Sequence, residues 1–183
     1  MFNASSLVNM TDSATLMAQI EVRVIGVMGV SGSGKTTVAR GLAQRLGWVF
    51  LEGDAFHPAA NVEKMARGIP LDDDDRWPWL QRLREAIAQT RTDYRDLGVV
   101  VACSALKQAY RDRLSGGDDE IVWVYLKGEF ERLQQRLQAR SDHFMPPTLL
   151  ASQFAALEEP HEALTLDSGR SPSELMTRIL KFL

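Results

Sequence analysis

The sequence predicts an α/β fold in which a parallel sheet of about five strands is covered by helices on both faces. Short apolar runs rich in Val and Ile alternate along the chain with segments whose apolar residues recur at helical spacing. A glycine-rich turn, residues 29–34, joins the first apolar run directly to the first helical segment. Alternation of this kind favours parallel strands whose carboxyl ends share one edge, where ligands bind.

The expected strands are short and mostly apolar, as strands buried on both faces of a parallel sheet should be. Residues 22–28 form the first strand, which ends at the glycine turn. The remaining four are expected at residues 48–51, 99–103, 121–126 and Leu164–Asp167. Each is separated from the next by enough chain for a helical crossover, which parallel strands require.

Helical segments occupy the intervals between these strands. The first opens near Lys35 and should stop before Gly47, because glycine accepts the left-handed backbone that ends helices. The last is opened by Ser171-Pro172-Ser173-Glu174, which has capping-box spacing and a proline in the first turn. Further helices are expected at residues 58–67, after Pro78, at 105–114, through Phe130, Leu133 and Leu137, and at 148–157.

Composition excludes several classes of protein. The chain has 183 residues, of which 45% are hydrophobic and 25% charged, with a net charge of -3, so neither disorder nor nucleic-acid binding is expected. The lone Cys103 suits a reducing compartment, and neither a secretory signal nor an apolar span long enough to cross a membrane is evident. We therefore expect a cytoplasmic protein with a flexible leader (1–20) and one domain (21–183).

The glycine turn carries a phosphate-binding pattern, Gly29-x4-Gly34-Lys35-Thr36, with a strand before it and a helix after it. Glycines let backbone N–H groups face phosphates, and the helix that follows adds its positive end. The pattern predicts an ATP-dependent phosphotransferase in which Lys35 reaches the β and γ phosphates and Thr36 ligates Mg²⁺. The loop residues expected to bind ATP are Gly29, Val30, Ser31, Gly32, Ser33, Gly34, Lys35, Thr36 and Thr37.

The acidic partner of the metal must be sought outside the third strand, because that strand ends Val-Ala-Cys-Ser rather than in aspartate. Glu52 and Asp54 flank Gly53 at the end of the second strand, where side chains can reach the phosphate loop. We expect Glu52 to hold Mg²⁺ and Asp54 to orient or deprotonate an acceptor hydroxyl, although the two roles could be exchanged. A simple turn without function is the alternative.

Longer motifs downstream resemble the gluconokinase family. They include His57-Pro58-x-x-Asn61-x-x-Lys64-Met65 and Gly68-x-Pro70-Leu71-x-Asp73-Asp74-Asp75-Arg76-x-Pro78-Trp79-Leu80. Others are Cys103-Ser104-Ala105-Leu106-Lys107 with Tyr110-Arg111, Leu126-Lys127-Gly128, His143-Phe144, Gln153-Phe154 and Leu157-Glu158-x-Pro160. The resemblance runs from about Val24 to the C-terminus.

This resemblance implies ATP-dependent phosphorylation of D-gluconate on its 6-hydroxyl, on a fold similar to nucleoside monophosphate kinases with a small lid at about residues 141–160. It also suggests a homodimer. Gluconate needs cations for its carboxylate and polar groups for its hydroxyls. The candidates for these contacts are Asp54, His57, Asn61, Lys64, Asp74, Arg76, Ser104, Lys107 and Arg111.

Arginines recur every fourth residue along the helix that follows the fourth strand, at Arg132, Arg136 and Arg140. The resemblance assigns Arg136 and Arg140 to contacts with adenine and the ATP phosphates, with Arg140 neutralising charge during transfer. An arginine plane stacks on a base, and its fork binds phosphate oxygens. A stripe that merely faces solvent is the alternative.

Several of these residues could instead have a purely structural role, without contact to a ligand. Residues 72–75 could be an acidic turn that caps the next helix, His57 could be a turn residue beside proline, and Trp77 and Trp79 are more typical of packing than of sugar stacking. At the level of function, a kinase of the same fold could act on shikimate or a nucleotide. A nucleotide-binding regulator without an acceptor site is a third interpretation.

Overall fold

The computed structural model of the protein describes residues 22–116, 121–139 and 148–183, so the expected leader lies outside the described residues. The strands are β1 (Val24–Met28), β2 (Val49–Glu52), β3 (Val99–Ala102), β4 (Ile121–Lys127) and β5 (Leu164–Asp167). The helices are α1 (Lys35–Leu46), α2 (Ala59–Ala66), α3 (Asp73–Asp93), α4 (Gln108–Leu114), α5 (Phe130–Gln138), α6 (Thr148–Ala156) and α7 (Pro172–Phe182). A 3-10 turn, Gly53–Phe56, follows β2.

The strands form one parallel sheet in the order β2-β3-β1-β4-β5, which confirms the predicted fold class. β1 is central, since Val24 pairs with Val99 of β3 on one side and Ile121 of β4 on the other. Because the strands are parallel, the loops that follow β1, β2 and β3 emerge at the same edge. The glycine turn, Asp54 and Ser104 are thereby brought to one place.

Helices cover both faces of the sheet, as predicted. On one face α1 and α7 pack against the strands, with Leu42 and Ile179 fully buried. On the other face α3 and α4 contribute Leu80, Leu83 and Tyr110 to a second core. The two cores hold the central strands from both sides, so the edge that carries the loops is built on a rigid base.

The start of α3 differs from the sequence prediction, which placed this helix after Pro78. The helix begins at Asp73 and contains Pro78, because a capping box formed by Asp72 and Asp75 fixes its first turn. Pro78 lies near the start of the helix, and its missing N–H removes only one hydrogen bond, to a main-chain carbonyl of the first turn. The interpretation of residues 72–75 as a helix-capping turn is therefore confirmed for Asp72 and Asp75.

Residues 105–107, assigned from sequence to a helix, are instead part of a loop, and α4 starts at Gln108. Ala105 in this loop has φ of 43°, a left-handed conformation that a helix cannot include. Among the described helices α3 is long, at 21 residues, but no described helix combines the length and the apolar character needed to cross a bilayer.

The start of α7 agrees with the predicted capping box. Ser171 accepts a hydrogen bond from the main-chain N–H of Glu174, and the Glu174 carboxylate accepts one from the N–H of Ser171. Both bonds satisfy N–H groups that the first turn of a helix leaves unpaired. The cap holds α7 where Leu175 and Ile179 are buried against the sheet.

Replacing Ser171 with alanine is expected to lower the free energy of unfolding by about 1 kcal/mol, because the cap hydrogen bond is lost. Urea unfolding followed by circular dichroism measures the change. Ser171→Thr keeps a capping hydroxyl and serves as the control. Equal stability of the alanine and threonine variants would contradict a stabilising role for this cap.

Candidate active site

The glycine turn adopts the conformation that phosphate binding requires. Gly29, Gly32 and Gly34 have positive φ angles of 141°, 79° and 93°. A side chain at Gly29 would also lie 2.8 Å from the carbonyl oxygen of Leu126, so the position has no room for one. α1 begins immediately afterwards at Lys35, and its N-terminal N–H groups and positive dipole end point toward the turn. We call residues 29–36 the phosphate loop.

Lys35 and Thr36 stand at the mouth of this loop. The Lys35 ammonium donates to the carbonyl of Val30, 3.1 Å away, and so lies across the loop. The Thr36 side chain is exposed and hydrogen-bonds Glu52, which ends β2. The structure thus brings together Thr36 and Glu52, the pair assigned to the metal from sequence. Burial raises the pKa of Glu52, and the hydrogen bond with Thr36 opposes that rise.

The 3-10 turn after β2 presents Asp54 on the same side. The indole N–H of Trp79 donates to the carbonyl of Gly53 at 2.8 Å, which ties the turn to α3. A side chain at Gly53 would lie 2.5 Å from the carbonyl oxygen of Ala102, so the turn packs directly on the end of β3. Asp54 itself is exposed, and its carboxylate is therefore available to a substrate.

One cavity of about 410 Å³ joins the phosphate loop to the acceptor-side residues. This volume is typical of sites for small molecules. Four of the residues assigned to the acceptor from sequence line it together, namely Asp54, His57, Arg76 and Ser104. The loop side is lined by Ser31, Gly32, Gly34, Lys35, Thr36 and Thr37. A phosphate donor and a small polar acceptor could therefore meet in this cavity.

His57 is a neutral, ordered member of the cavity wall. Its ring stacks on Trp79 with centroids 4.1 Å apart and an interplanar angle of 17°. Burial lowers the pKa of His57 to about 4, with Arg76 acting in the same direction and Asp54 opposing. Trp79 is 1% exposed, so the packing role expected from sequence holds, and the residue also supports His57.

Asn61 and Lys64 lie behind the cavity wall and do not line it. Asn61 is buried, and its side-chain nitrogen donates to the carbonyl of Asp75 at 2.8 Å. The Lys64 ammonium binds Asp75 directly and Asp72 at 3.2 Å, and these hydrogen bonds raise the pKa of Lys64. Both residues join α2 to the start of α3 and so fix the position of His57.

Lys107 does not line the main cavity, and its side chain is bound by Asp73. Its ammonium binds both carboxylate oxygens of Asp73 at 2.8 and 2.9 Å, and the hydroxyl of Tyr110 donates to the same carboxylate. Lys107 and Asp74 line a second, more open recess that also includes Arg76. Since Arg76 lines both spaces, the recess adjoins the main cavity, and a long acceptor could extend into it.

Arg111, assigned to the acceptor from sequence, is 3% exposed and binds main-chain oxygens instead. Its guanidinium donates to the carbonyls of Ala105 at 2.9 Å, Leu106 at 3.2 Å and Glu158 at 3.0 Å. These bonds support the left-handed residue Ala105, whose neighbour Ser104 lines the cavity. Arg111 therefore anchors the β3–α4 loop to the chain beyond α6 and does not contact the cavity.

Gln153 of α6 was not among the residues assigned to the site from sequence. Its amide oxygen accepts from the N–H of Ser31 at 2.7 Å, and its amide nitrogen donates to the Ser31 hydroxyl at 2.9 Å. With Leu149 and Ser152 it forms the α6 side of the cavity. The only signal in the sequence was the Gln153-Phe154 dipeptide, which carries no chemistry by itself.

The arginine helix α5 runs beside the end of β5. Arg136 donates to the carbonyl of Ser168 at 2.9 Å, and Arg132 pairs with Asp167 at 2.7 Å. The two arginines therefore contact the last residue of β5 and the residue after it, whereas the alternative of a purely solvated stripe predicts no such contacts. Arg140, and the expected lid up to residue 147, lie outside the described residues.

Comparison with known proteins agrees with this geometry. Residues 24–164 match the family described as AAA domain. A gluconokinase from Gluconobacter oxydans (strain 621H) is 51% identical over 176 residues, which cover 94% of this chain and 97% of that protein. An unliganded sugar kinase from Janibacter sp. HTCC2649 has a TM-score of 0.80 at 46% identity, covering 87% of this chain and 93% of the other. A gluconokinase from Sinorhizobium meliloti 1021 has a TM-score of 0.76 at 41% identity, covering 87% and 90%.

These similarities extend over most of the chain. The identities are well above the level at which only a fold is shared. The parallel sheet, the phosphate loop and the joined cavity are the structural counterpart of this similarity. The chain belongs to the gluconokinase family of P-loop kinases.

Proposed function

We propose that the protein transfers the γ-phosphoryl group of ATP to the 6-hydroxyl of D-gluconate, giving 6-phosphogluconate and ADP. The observation that carries the proposal is the cavity that Lys35 and Thr36 line together with Asp54, His57 and Arg76. In-line phosphoryl transfer needs little beyond such positioning and stabilisation of charge. The names of the curated relatives support gluconate as the acceptor.

Lys35 and the N–H groups of the phosphate loop hold the phosphates in this proposal. The 6-hydroxyl oxygen attacks the γ-phosphorus, the bond to the ADP oxygen breaks, and the hydroxyl proton passes to the Asp54 carboxylate. Arg76 supplies positive charge at the acceptor side, where its side chain is mostly buried between Tyr110 and the cavity. Arg136 and Arg140 are assigned in this proposal to adenine and the ATP phosphates, with Arg140 neutralising charge during transfer.

Mg²⁺ fits the pair formed by Thr36, at the start of α1, and Glu52, at the end of β2. Thr36 and Glu52 offer two oxygen ligands in contact with each other, and no group of three His, Cys, Asp or Glu side chains in the described segments could form a full metal cage. Such a sparse set suits Mg²⁺, which keeps waters and phosphate oxygens in its coordination shell. When bound, the ion would neutralise phosphate charge and orient the β and γ groups.

Replacing Glu52 with glutamine is expected to raise the Mg²⁺ concentration for half-maximal rate about tenfold, because the side chain keeps its size but loses its charge. Titrating Mg²⁺ at saturating ATP and gluconate measures the effect. Glu131→Gln, an exposed change on α5, is the matched control. An unaltered Mg²⁺ requirement in Glu52→Gln would contradict the assignment of the metal to Glu52 and favour Asp54 instead.

The acceptor is tested by a coupled assay of ADP release with purified protein, ATP and a panel of acceptors. We expect turnover with gluconate and much less with shikimate or nucleoside monophosphates. Turnover of a nucleotide or shikimate without gluconate would replace the proposed acceptor. ATP binding without turnover of any sugar acid would favour a nucleotide-binding regulator.

The wider assignments belong to the same proposal: one kinase domain at residues 21–183, a lid at about 141–160, a homodimer and a cytoplasmic location. Cys103 is the one cysteine of the chain and so has no internal partner for a disulfide, which is consistent with a reducing compartment. Sedimentation of the purified chain tests the dimer. A monomer at working concentrations would remove that assignment without affecting the proposed chemistry.

A further inference from the structure

Asn61 is oriented by a partner that can only accept a hydrogen bond. Its side-chain nitrogen lies 2.8 Å from the main-chain carbonyl oxygen of Asp75. A carbonyl oxygen offers no proton, so the atom facing it must be the amide NH₂ group rather than the amide oxygen. Asn61 is 4% exposed, which leaves water little access to compete with this contact.

The same amide nitrogen also reaches the ring of His57. It lies 3.3 Å from Nδ1 of His57, and an NH₂ group has a second hydrogen to donate. Nδ1 must then accept, which places the single proton of the neutral ring on Nε2. The stack on Trp79, whose indole is tied to the carbonyl of Gly53, fixes the plane of the ring. Within that plane, the contact with Asn61 holds Nδ1 toward the amide.

His57 therefore has an N–H at Nε2 that can donate a hydrogen bond, while its Nδ1 accepts one from Asn61. No described side chain or carbonyl accepts a hydrogen bond from Nε2 of this residue, and the ring lines the cavity. The charged groups that face the ring are Asp54, from its own turn, and Arg76, from α3. Asp54 as a carboxylate only accepts hydrogen bonds, whereas His57 at Nε2 only donates them.

We propose that His57 is a fixed hydrogen-bond donor to an oxygen of the acceptor substrate, and that Asn61 is the positioning residue that selects its Nε2–H tautomer. This inference rests on the proposed function for the identity of the substrate. A hydroxyl group both donates and accepts, so Asp54 and His57 together can recognise it in one orientation. The Asp75 carbonyl, Asn61 and His57 thus form a relay that runs from the start of α3 to the substrate.

Direct observation of the tautomer tests the first half of the proposal. The chain has three histidines, His57, His143 and His161, so a ¹⁵N-histidine spectrum near neutral pH is simple, and His57→Gln identifies the signals of His57. We expect a protonated Nε2 and an unprotonated Nδ1. The opposite tautomer, or a doubly protonated ring, would overturn the relay. In Asn61→Leu the signals should move toward a mixture of tautomers, and an unmoved spectrum would contradict the role of Asn61.

Kinetics test the second half. The amide nitrogen of glutamine can occupy the place of Nε2, whereas that of asparagine reaches only the place of Nδ1. His57→Asn should therefore raise the KM for gluconate about tenfold, the loss of one hydrogen bond, and His57→Gln clearly less, with the KM for ATP little changed in both. Equal KM values for gluconate in the two variants would show that His57 does not donate a hydrogen bond to the acceptor. The exposed His161→Gln is the control.

The two kinds of failure are distinguishable. If the wild-type protein does not phosphorylate gluconate, the proposed function fails, and the spectrum of wild-type His57 still decides the tautomer. If the protein phosphorylates gluconate but His57 carries its proton on Nδ1, the relay fails alone. Should Asn61→Leu not fold, the wild-type spectrum and the His57 pair remain decisive.

Discussion

Lys35→Ala is expected to lower kcat for gluconate phosphorylation about 10³-fold, the scale on which preorganised positive groups act at a transferring phosphoryl. Lys35 is the first residue of α1, and its ammonium lies across the phosphate loop at 3.1 Å from the carbonyl of Val30. Alanine keeps the helix, because it has the best helical propensity, but it removes the charge that we propose binds the β and γ phosphates.

The measurement is the coupled assay at saturating gluconate with increasing ATP, together with thermal unfolding of the variant. The folded state should survive, since the Lys35 side chain is not part of either core. Lys181→Ala, an exposed lysine of α7, is the matched control and should keep wild-type turnover. Wild-type turnover in Lys35→Ala would refute the role of Lys35.

Asp54→Asn is expected to lower kcat about 10²- to 10⁴-fold, the usual range for the loss of a general base. The asparagine amide has the same size and can still hydrogen-bond the acceptor, so the KM for gluconate should change little. It cannot take the proton that the attacking hydroxyl releases. The structure supports this separation because Asp54 lines the cavity and is exposed, with Trp79 fixing its turn through Gly53.

Steady-state kinetics at saturating substrates decide this second prediction. Asp96→Asn, an exposed change in the segment after α3, is the control for the loss of one carboxylate. A near-normal kcat in Asp54→Asn would exclude Asp54 from the chemistry. If instead only the KM for gluconate rises, Asp54 binds the acceptor without taking its proton.

The fold could be predicted from sequence because local signals agreed with each other. Short, mostly apolar runs marked all five strands within a few residues of their observed ends, and the capping box at Ser171 and Gly47 marked helix boundaries. The start of α3 was misplaced because Pro78 was interpreted as a start signal. The competing signal was the capping pair Asp72 and Asp75, which is stronger because it satisfies two N–H groups at once.

The cavity could be predicted in part. The phosphate loop, Asp54, His57, Arg76 and Ser104 follow strand ends or begin a helix, so topology alone brings them together. Lys64, Lys107 and Arg111 were assigned to the substrate because they are cations near those motifs. Each has a partner far along the chain: Asp75 is 11 residues from Lys64, Asp73 is 34 from Lys107 and Glu158 is 47 from Arg111, and no spacing rule identifies such pairs.

The anchor made by Arg111 has a consequence for engineering of the acceptor site. The three bonds that join the β3–α4 loop to the chain beyond α6 end on main-chain oxygens, which every amino acid provides, so these bonds do not depend on the identity of the residues that accept them. Two further bonds go to the side chain of Gln108. Lysine would not substitute, because a single ammonium cannot replace the planar fork. Libraries that vary Ser104 to change acceptor preference can therefore keep the attachment of the α6 segment, provided that Arg111 is held constant.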